Sequence, residues 1–259
     1  MTATPADSSI GLPRALEIMG VGVVPFRSYE DVSGYVSKSI ALRRKSLCIA
    51  INPEKVYRAV HDPDLRALLD RADVVTICDG IGVSIAAKVL HGKALRRVTG
   101  CDLFMRLIAA AEVEGWRVFL LGASPESNEQ ACTRLRERHP NLKIVGHHHG
   151  YFDDPEAMIS QINATGADLL FVAMGSPRQE YWIARNREAI AAPFCMGVGG
   201  TLDVVSGRAK RAPKLFRTTG TEFLFRLMAN PRRWRRQLVL PLFMLAVLWQ
   251  RLSRGWQRR

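Results

Sequence analysis

The sequence predicts an α/β fold, a parallel sheet with helices covering both faces. Short apolar runs alternate with helical patterns of about 10–15 residues, which is the signature of successive βαβ units. The apolar runs end in glycine, asparagine or aspartate, the punctuation that turns a strand into a loop. No internal repeat and no low-complexity segment breaks this alternation.

Each element can be justified in turn. "SLCIAIN" (46–52) reads as a strand, short and apolar, with a helix following from Pro53. "DVVTIC" (73–78) is a second strand, and "IGVSIAAKVL" then has helical character. "CDLFMRLIAAAEVEG" (101–115) is an amphipathic helix stopped by Gly115. "WRVFLLG" (116–122) is a strand. Ser124-Pro125 then reads as an N-cap followed by proline at the first helical position, opening a helix to about His139. "LKIVG" (142–146) and "ADLLFVAMG" (167–175) are strands, and Ser176-Pro177 is expected to open the next helix by the same device. "APFCMGVGG" (192–200) is the last clear strand.

In a parallel sheet the residues after the strands, Asn52, Asp79-Gly80, Gly122, Gly175 and Gly199-Gly200, all lie at the carboxyl edge, where ligands of such sheets bind. Glycine lets backbone approach a ligand, and the helix N-termini that follow offer free N–H groups to an anion. The junctions at 122–125 and 175–177 therefore suit a diphosphate, although turn geometry alone also accounts for either one. No GxGxxG follows a strand and no GxxxxGK[ST] occurs, which argues against dinucleotide and P-loop sites.

Asp79 has two readings: general base toward a substrate hydroxyl, or N-cap of the following helix. "GSPRQEYW" (175–182) puts Arg178, Gln179 and Glu180 in a first helical turn at the same edge. Gln179 can pair with a nucleobase or a sugar hydroxyl, and Glu180 can complement the helix dipole. Of "HHH" (147–149), only His147 and His149 share a face of an extended chain, and no cysteine lies nearby. "DPD" (62–64) opens an amphipathic helix instead of ending a strand, so capping is its expected role. No metal site is expected.

The 259 residues are 47% hydrophobic and 24% charged, enough for one large domain with an appendage. The net charge of +13 is unevenly placed. Residues 208–259 hold fourteen Lys/Arg and one acid, leaving 23 basic and 23 acidic residues in the first 207. The expected division is an α/β core over 1–207 and a cationic appendage over 208–259. Basic residues mixed with Trp, Phe and Leu suit an anionic membrane surface better than nucleic acid. Leu238–Trp249 is apolar but too short to span a bilayer, and Pro241 sits within it. It reads as an interfacial segment, with a helix packed on the body as the alternative. The N-terminus has neither the cationic start nor the apolar core of a signal peptide. Five scattered cysteines without a CxxC pair are expected to be reduced, mostly buried thiols.

Several motifs now stand in order: "INPEKV", "CDGIGVSIAAKVLHG", "RRVTGCDLF", "VFLLGASPES", "GYF", "DLLFVAMGSPRQEYWIARN", "GVGGTLDVVSGRAKRAP" and "TEFLFRLMANPRRWRR". Together they resemble the WecG/TagA/CpsF glycosyltransferase family over roughly residues 20–236. The resemblance implies a Rossmann-like core and inverting, metal-independent transfer of a hexose or hexosamine-type sugar. The implied donor is a UDP-sugar and the implied acceptor a polyprenyl-diphosphate-linked saccharide in bacterial surface polysaccharide assembly. By position, it implies Asp79 as general base. It implies substrate contacts at Asn52, Arg97 and Gln179, and phosphate contacts by Arg226, Arg233 and Arg236 once the tail folds over the site; contact with lipid headgroups is the alternative for these three arginines. Gly122 and Gly175 join this set as close-approach positions. Ala50 stands where the family has a threonine, which puts one polar contact to the sugar in doubt. The expected partners are donor, acceptor and an anionic membrane at its cytoplasmic face, with self-association left open and neither nucleic acid nor cofactor. A nucleotide-sugar hydrolase or epimerase, or a non-catalytic membrane or nucleic-acid adaptor, are the competing functions.

Overall fold

A computed structural model describes residues 11–229, 234 and 238–256. Arg233 and Arg236 lie outside the described residues, and Arg226 is described only as part of a helix.

All six expected strands form. They are β3 (Ser46–Ile51), β4 (Val74–Cys78), β5 (Arg117–Gly122), β6 (Lys143–His148), β7 (Leu169–Ala173) and β8 (Phe194–Gly197). They pair in the order β4-β3-β8-β7-β5-β6, every pair parallel. Alternate side chains enter opposite cores, so both faces are covered. Cys48 points to the first face and Leu47, Ile49 and Ile51 to the second; Val118 and Leu120 likewise face the first, and Phe119 and Leu121 the second.

The first face carries α1 (Tyr29–Ala41), α5 (Gly100–Glu114), α6 (Pro125–Arg138) and α9 (Thr201–Val205). The second carries α2 (Pro53–His61), α3 (Pro63–Leu69), α4 (Ile81–His91), α7 (Pro155–Ala164) and α8 (Arg178–Asn186). Ser124 caps α6 by accepting from the Ser127 N–H at 3.1 Å, and Asp62 caps α3 through Leu65 at 3.0 Å. Ser176 does not repeat the Ser124 device. The Ser176–Pro177 peptide is cis, Pro177 occupies the cap position, and α8 starts at Arg178 without a side-chain cap. A proline already in the cap position leaves no place for the serine there.

Beyond α7 and α9, which the sequence reading did not single out, two features ahead of β3 were not expected. A short antiparallel hairpin, β1 (Leu16–Ile18) and β2 (Val21–Val23), turns through Met19 and Gly20 at φ 50° and 84°, the paired positive φ of a tight hairpin turn. Helix α1 is capped by Ser28 and buries Val32, Tyr35, Val36 and Ser39 on one stripe.

After α9 come α10 (Lys214–Thr219), α11 (Glu222–Ala229) and a final helix, α12 (Val239–Trp256). Pro241 is its third residue, within the first turn where proline costs no helical hydrogen bond. Helix α12 docks on α2 and α4. Phe243 and Val247 are fully buried in the second core. The Gln250 side chain accepts from the Met19 N–H at 3.1 Å, and Arg251 donates to the Val89 carbonyl at 2.6 Å. Its outer side is apolar as well: Leu242, Leu245, Leu248, Trp249 and Leu252 are exposed, continuing from Leu238. At 100° per residue these fall within an arc of about 120°. Packing on the body and an outward apolar stripe therefore coexist in one helix. Among the described residues no helix is long and apolar enough to cross a membrane.

Candidate functional site

The expected punctuation residues gather at the carboxyl edge of the sheet, in two neighbouring stations. The first lies over β3 and β4. The Asp79 N–H donates to the Ile51 carbonyl at 3.0 Å, and its carboxylate accepts from the Gly100 N–H at 3.1 Å. Gly80, not Asp79, is the cap residue of α4, and no side chain caps that helix. The capping role considered for Asp79 is therefore not the one it plays. Asn52 does cap α2, accepting from the Lys55 N–H at 2.8 Å.

Arg97 ties this station to the appendage. Its guanidinium donates to the Asp79 carbonyl at 3.2 Å and the Arg217 carbonyl at 3.0 Å, and stands 3.8 Å from Glu222. Nearby, Asp102 accepts from Arg211 and from the Thr99 hydroxyl. Burial acts to raise the Asp102 carboxyl, but these hydrogen bonds and the Arg217 charge hold it below the ordinary value. Residues 211–222 thus fold back over the Asp79 station.

The second station is a cleft of about 370 Å³ at the ends of β5, β7 and β8. Its walls include Ser124, Gly150, Tyr151, Gly175, Arg178, Gly199, Gly200 and Asp203. At Gly122, φ is 114° and an added Cβ would sit 2.5 Å from the Ala173 carbonyl oxygen, so no side chain fits. Gly175, at φ 80°, opens onto free space. Arg178 is exposed on the cleft wall.

A buried polar group lies between the stations. Gln179 is 3% exposed, and its carbonyl oxygen accepts from the Gly199 N–H at 2.9 Å. Its amide nitrogen faces Glu180 at 3.4 Å. Glu180 is 2% exposed and pairs with Lys55 at 2.6 Å. Glu180 stands in the first turn of α8, where it can complement the helix dipole, and the structure adds a buried ion partner.

The histidines are engaged locally. His147 shares a 2.9 Å contact with the Asn128 side chain, and His149 accepts from the Tyr151 N–H at 3.2 Å. No group of three or more potential metal ligands occurs among the described residues. The five cysteines are free and, except for Cys101, buried; burial pushes the Cys48, Cys78 and Cys132 thiols up to about 12.

The sequence missed Lys55, Tyr151, Asp203 and the exposure of Arg178. The last was hidden because successive helical residues point about 100° apart, and the true helix start decides which of Arg178 and Gln179 faces the cleft.

A doubly wound parallel sheet with a cleft and a carboxylate along its carboxyl edge defines a Rossmann-like α/β protein with the site geometry of small-ligand binding. The family model for the glycosyl transferase WecG/TagA/CpsF family matches residues 16–257. The chain belongs to that family and is a glycosyltransferase. It is 37% identical over 200 residues to an N-acetylglucosaminyldiphosphoundecaprenol N-acetyl-beta-D-mannosaminyltransferase of Bacillus spizizenii, an alignment covering 77% of each chain.

Proposed function

We propose that the protein transfers a sugar from a UDP-sugar to a polyprenyl-diphosphate-linked saccharide in bacterial surface polysaccharide assembly, inverting the anomeric centre. The observation that carries the reading is the placement of the Asp79 carboxylate and the glycine-walled cleft side by side on one sheet edge. The donor's diphosphate sits in the cleft, where the α6 N-terminus and Arg178 face negative charge. Tyr151 offers an exposed ring to the base.

The acceptor hydroxyl approaches Asp79, which takes its proton as the oxygen attacks the anomeric carbon. UDP departs from the opposite face with growing charge, met by backbone N–H groups and arginine. Arg226, Arg233 and Arg236 are assigned to phosphate in this reading. It requires no metal, because cationic side chains do the charge compensation. Asn52 and Arg97 frame the Asp79 loop, and Gln179 contributes by holding Gly199 at the cleft.

The acceptor's lipid keeps the reaction at an anionic membrane surface, on the cytoplasmic face. The α12 stripe and the basic residues around it supply peripheral attachment. By its name, the Bacillus spizizenii relative uses an acceptor that carries N-acetylglucosamine, which makes an N-acetylglucosaminyl-diphosphate lipid the first acceptor to try. The experiment is a set of UDP-sugars offered with that acceptor. A glycosylated lipid product supports the reading, whereas sugar release or epimerisation without lipid product contradicts it.

A further inference from the structure

A polar chain, buried at its centre, runs from one station to the other, and its central ion pair takes no part in the chemistry above. It starts at the end of β3, where the Lys55 ammonium donates to the Ala50 carbonyl at 2.9 Å. The same ammonium reaches Glu180 Oε1 at 2.6 Å, an oxygen shared with the Gln179 amide at 3.4 Å. Gln179 then receives the N–H of Gly199, a wall of the cleft, at 2.9 Å. At the other end, the Asp79 and Gly80 N–H groups both donate to Ile51, one residue beyond Ala50. An added Cβ at Gly80 would press on Pro53 and Asn52, so the Asp79 loop rests directly on the β3–α2 turn that Lys55 pins.

The pair is an expensive way to fill this space. Lys55 is 6% exposed and Glu180 2%, and Glu180 Oε2 is buried with no hydrogen-bond partner among the described residues. Apolar replacements of buried ion pairs are often as stable or more so, so stability alone is a poor reason for this one. Its position supplies a better reason. The pair joins the turn beneath Asp79 to the residue that orients the Gly199 amide. We infer that Lys55 and Glu180 are positioning residues that fix the donor cleft relative to the Asp79 carboxylate, acting through Gln179 and Gly199. The inference rests on the donor and base assignments proposed above. Gly197 fits the linkage: an added Cβ there would sit 2.4 Å from the Gln179 amide nitrogen, so the Gln179 side chain packs directly on the Gly197 backbone.

The test pairs UDP binding with turnover in the full chain. Lys55→Met/Glu180→Leu removes both charges together and keeps similar volume, so it should fold and melt close to the parent. Its UDP affinity, by calorimetry, should fall about 5- to 10-fold, and kcat about 100-fold, the scale of a misplacement near 1 Å. Glu180→Asp keeps the charge but withdraws the oxygen by one methylene. It should lose about 10-fold in kcat with little change in UDP affinity, and it decides the matter if the double variant fails to fold. Parental turnover and UDP affinity in a folded variant would overturn the inference, as would a lowered melting temperature with both unchanged, which marks a structural strut only. Failure of the parent chain itself to bind UDP would count against the donor assignment, and with it against any alignment of that donor.

Discussion

The outer stripe of α12 gives a sharp prediction because the same helix has a buried side that serves as its control. Leu245 is 64% exposed and Trp249 74%. Full burial of a large apolar side chain is worth about 1.5–3 kcal/mol. Scaled by those exposures, insertion of the two into a bilayer interface contributes roughly 2–4 kcal/mol. Leu245→Glu/Trp249→Glu should therefore weaken binding to anionic liposomes by roughly 30- to 1000-fold, at about 1.4 kcal/mol per tenfold. Folding should hardly change, since exposed positions usually shift stability by no more than about 0.5 kcal/mol. Phe243→Ala does the opposite. Phe243 is fully buried against α2 and α4, and its truncation should destabilise the docked helix by about 3–5 kcal/mol. Liposome sedimentation beside thermal melts reads both. Point substitutions are cleaner than deleting the helix, because deletion also strips Phe243 and Val247 from the core. If the double glutamate variant sediments like the parent, the stripe does not meet the membrane and the interfacial account is wrong.

Three further outcomes follow. Arg178→Ala should keep the fold and lower UDP affinity about 10- to 100-fold, the worth of a charge-assisted hydrogen bond; unchanged calorimetric affinity would take the diphosphate away from this wall. Transfer should survive EDTA, since Asp62 caps α3 and accepts the Tyr181 hydroxyl at 2.8 Å; complete loss restored by Mg²⁺ or Mn²⁺ would refute the arginine-based account. Asp168→Asn should cost about 1–2 kcal/mol at pH 7: burial acts to raise its carboxyl, but hydrogen bonds from the Arg117 guanidinium and backbone, with Arg43 nearby, hold it below the ordinary value. A folded pKa below the unfolded one gives stability that is present above about pH 4 and lost as pH falls through the lower folded value. The gap between parent and variant melts should close in that acid range, and a gap independent of pH would contradict the assignment.

The strands were legible because burial on both faces leaves short, nearly continuous apolar runs, each closed by a polar or glycine residue, as at Ile51–Asn52 and Cys78–Asp79. The hairpin was not, because three-residue strands are too short to show a period and Met19, a non-glycine at φ 50°, gives no turn signal. Asp79 was found by its place after a strand, yet the sequence left its role divided between base and cap. Only the three-dimensional path shows its carboxylate accepting from Gly100, with Gly80 in the cap position of α4. Lys55 stayed hidden for a related reason: its partner is 125 residues away, and no local pattern distinguishes a lysine that turns inward from one in water. The tail's apolar run forms a helix packed on the body through Phe243 and Val247, the alternative that composition had offered, and its exposed apolar side is what the membrane proposal uses.

The central claim is that Asp79 removes the acceptor proton beside a UDP-filled cleft. Its most direct test is Asp79→Asn, in which the amide oxygen can still accept from Gly100 and so leave the loop in place. Glycosyl transfer to the lipid-linked acceptor and UDP binding are measured on the same preparation. The account predicts parental UDP affinity and turnover lower by about 100-fold or more. Turnover near that of the parent, with UDP still bound, would contradict it.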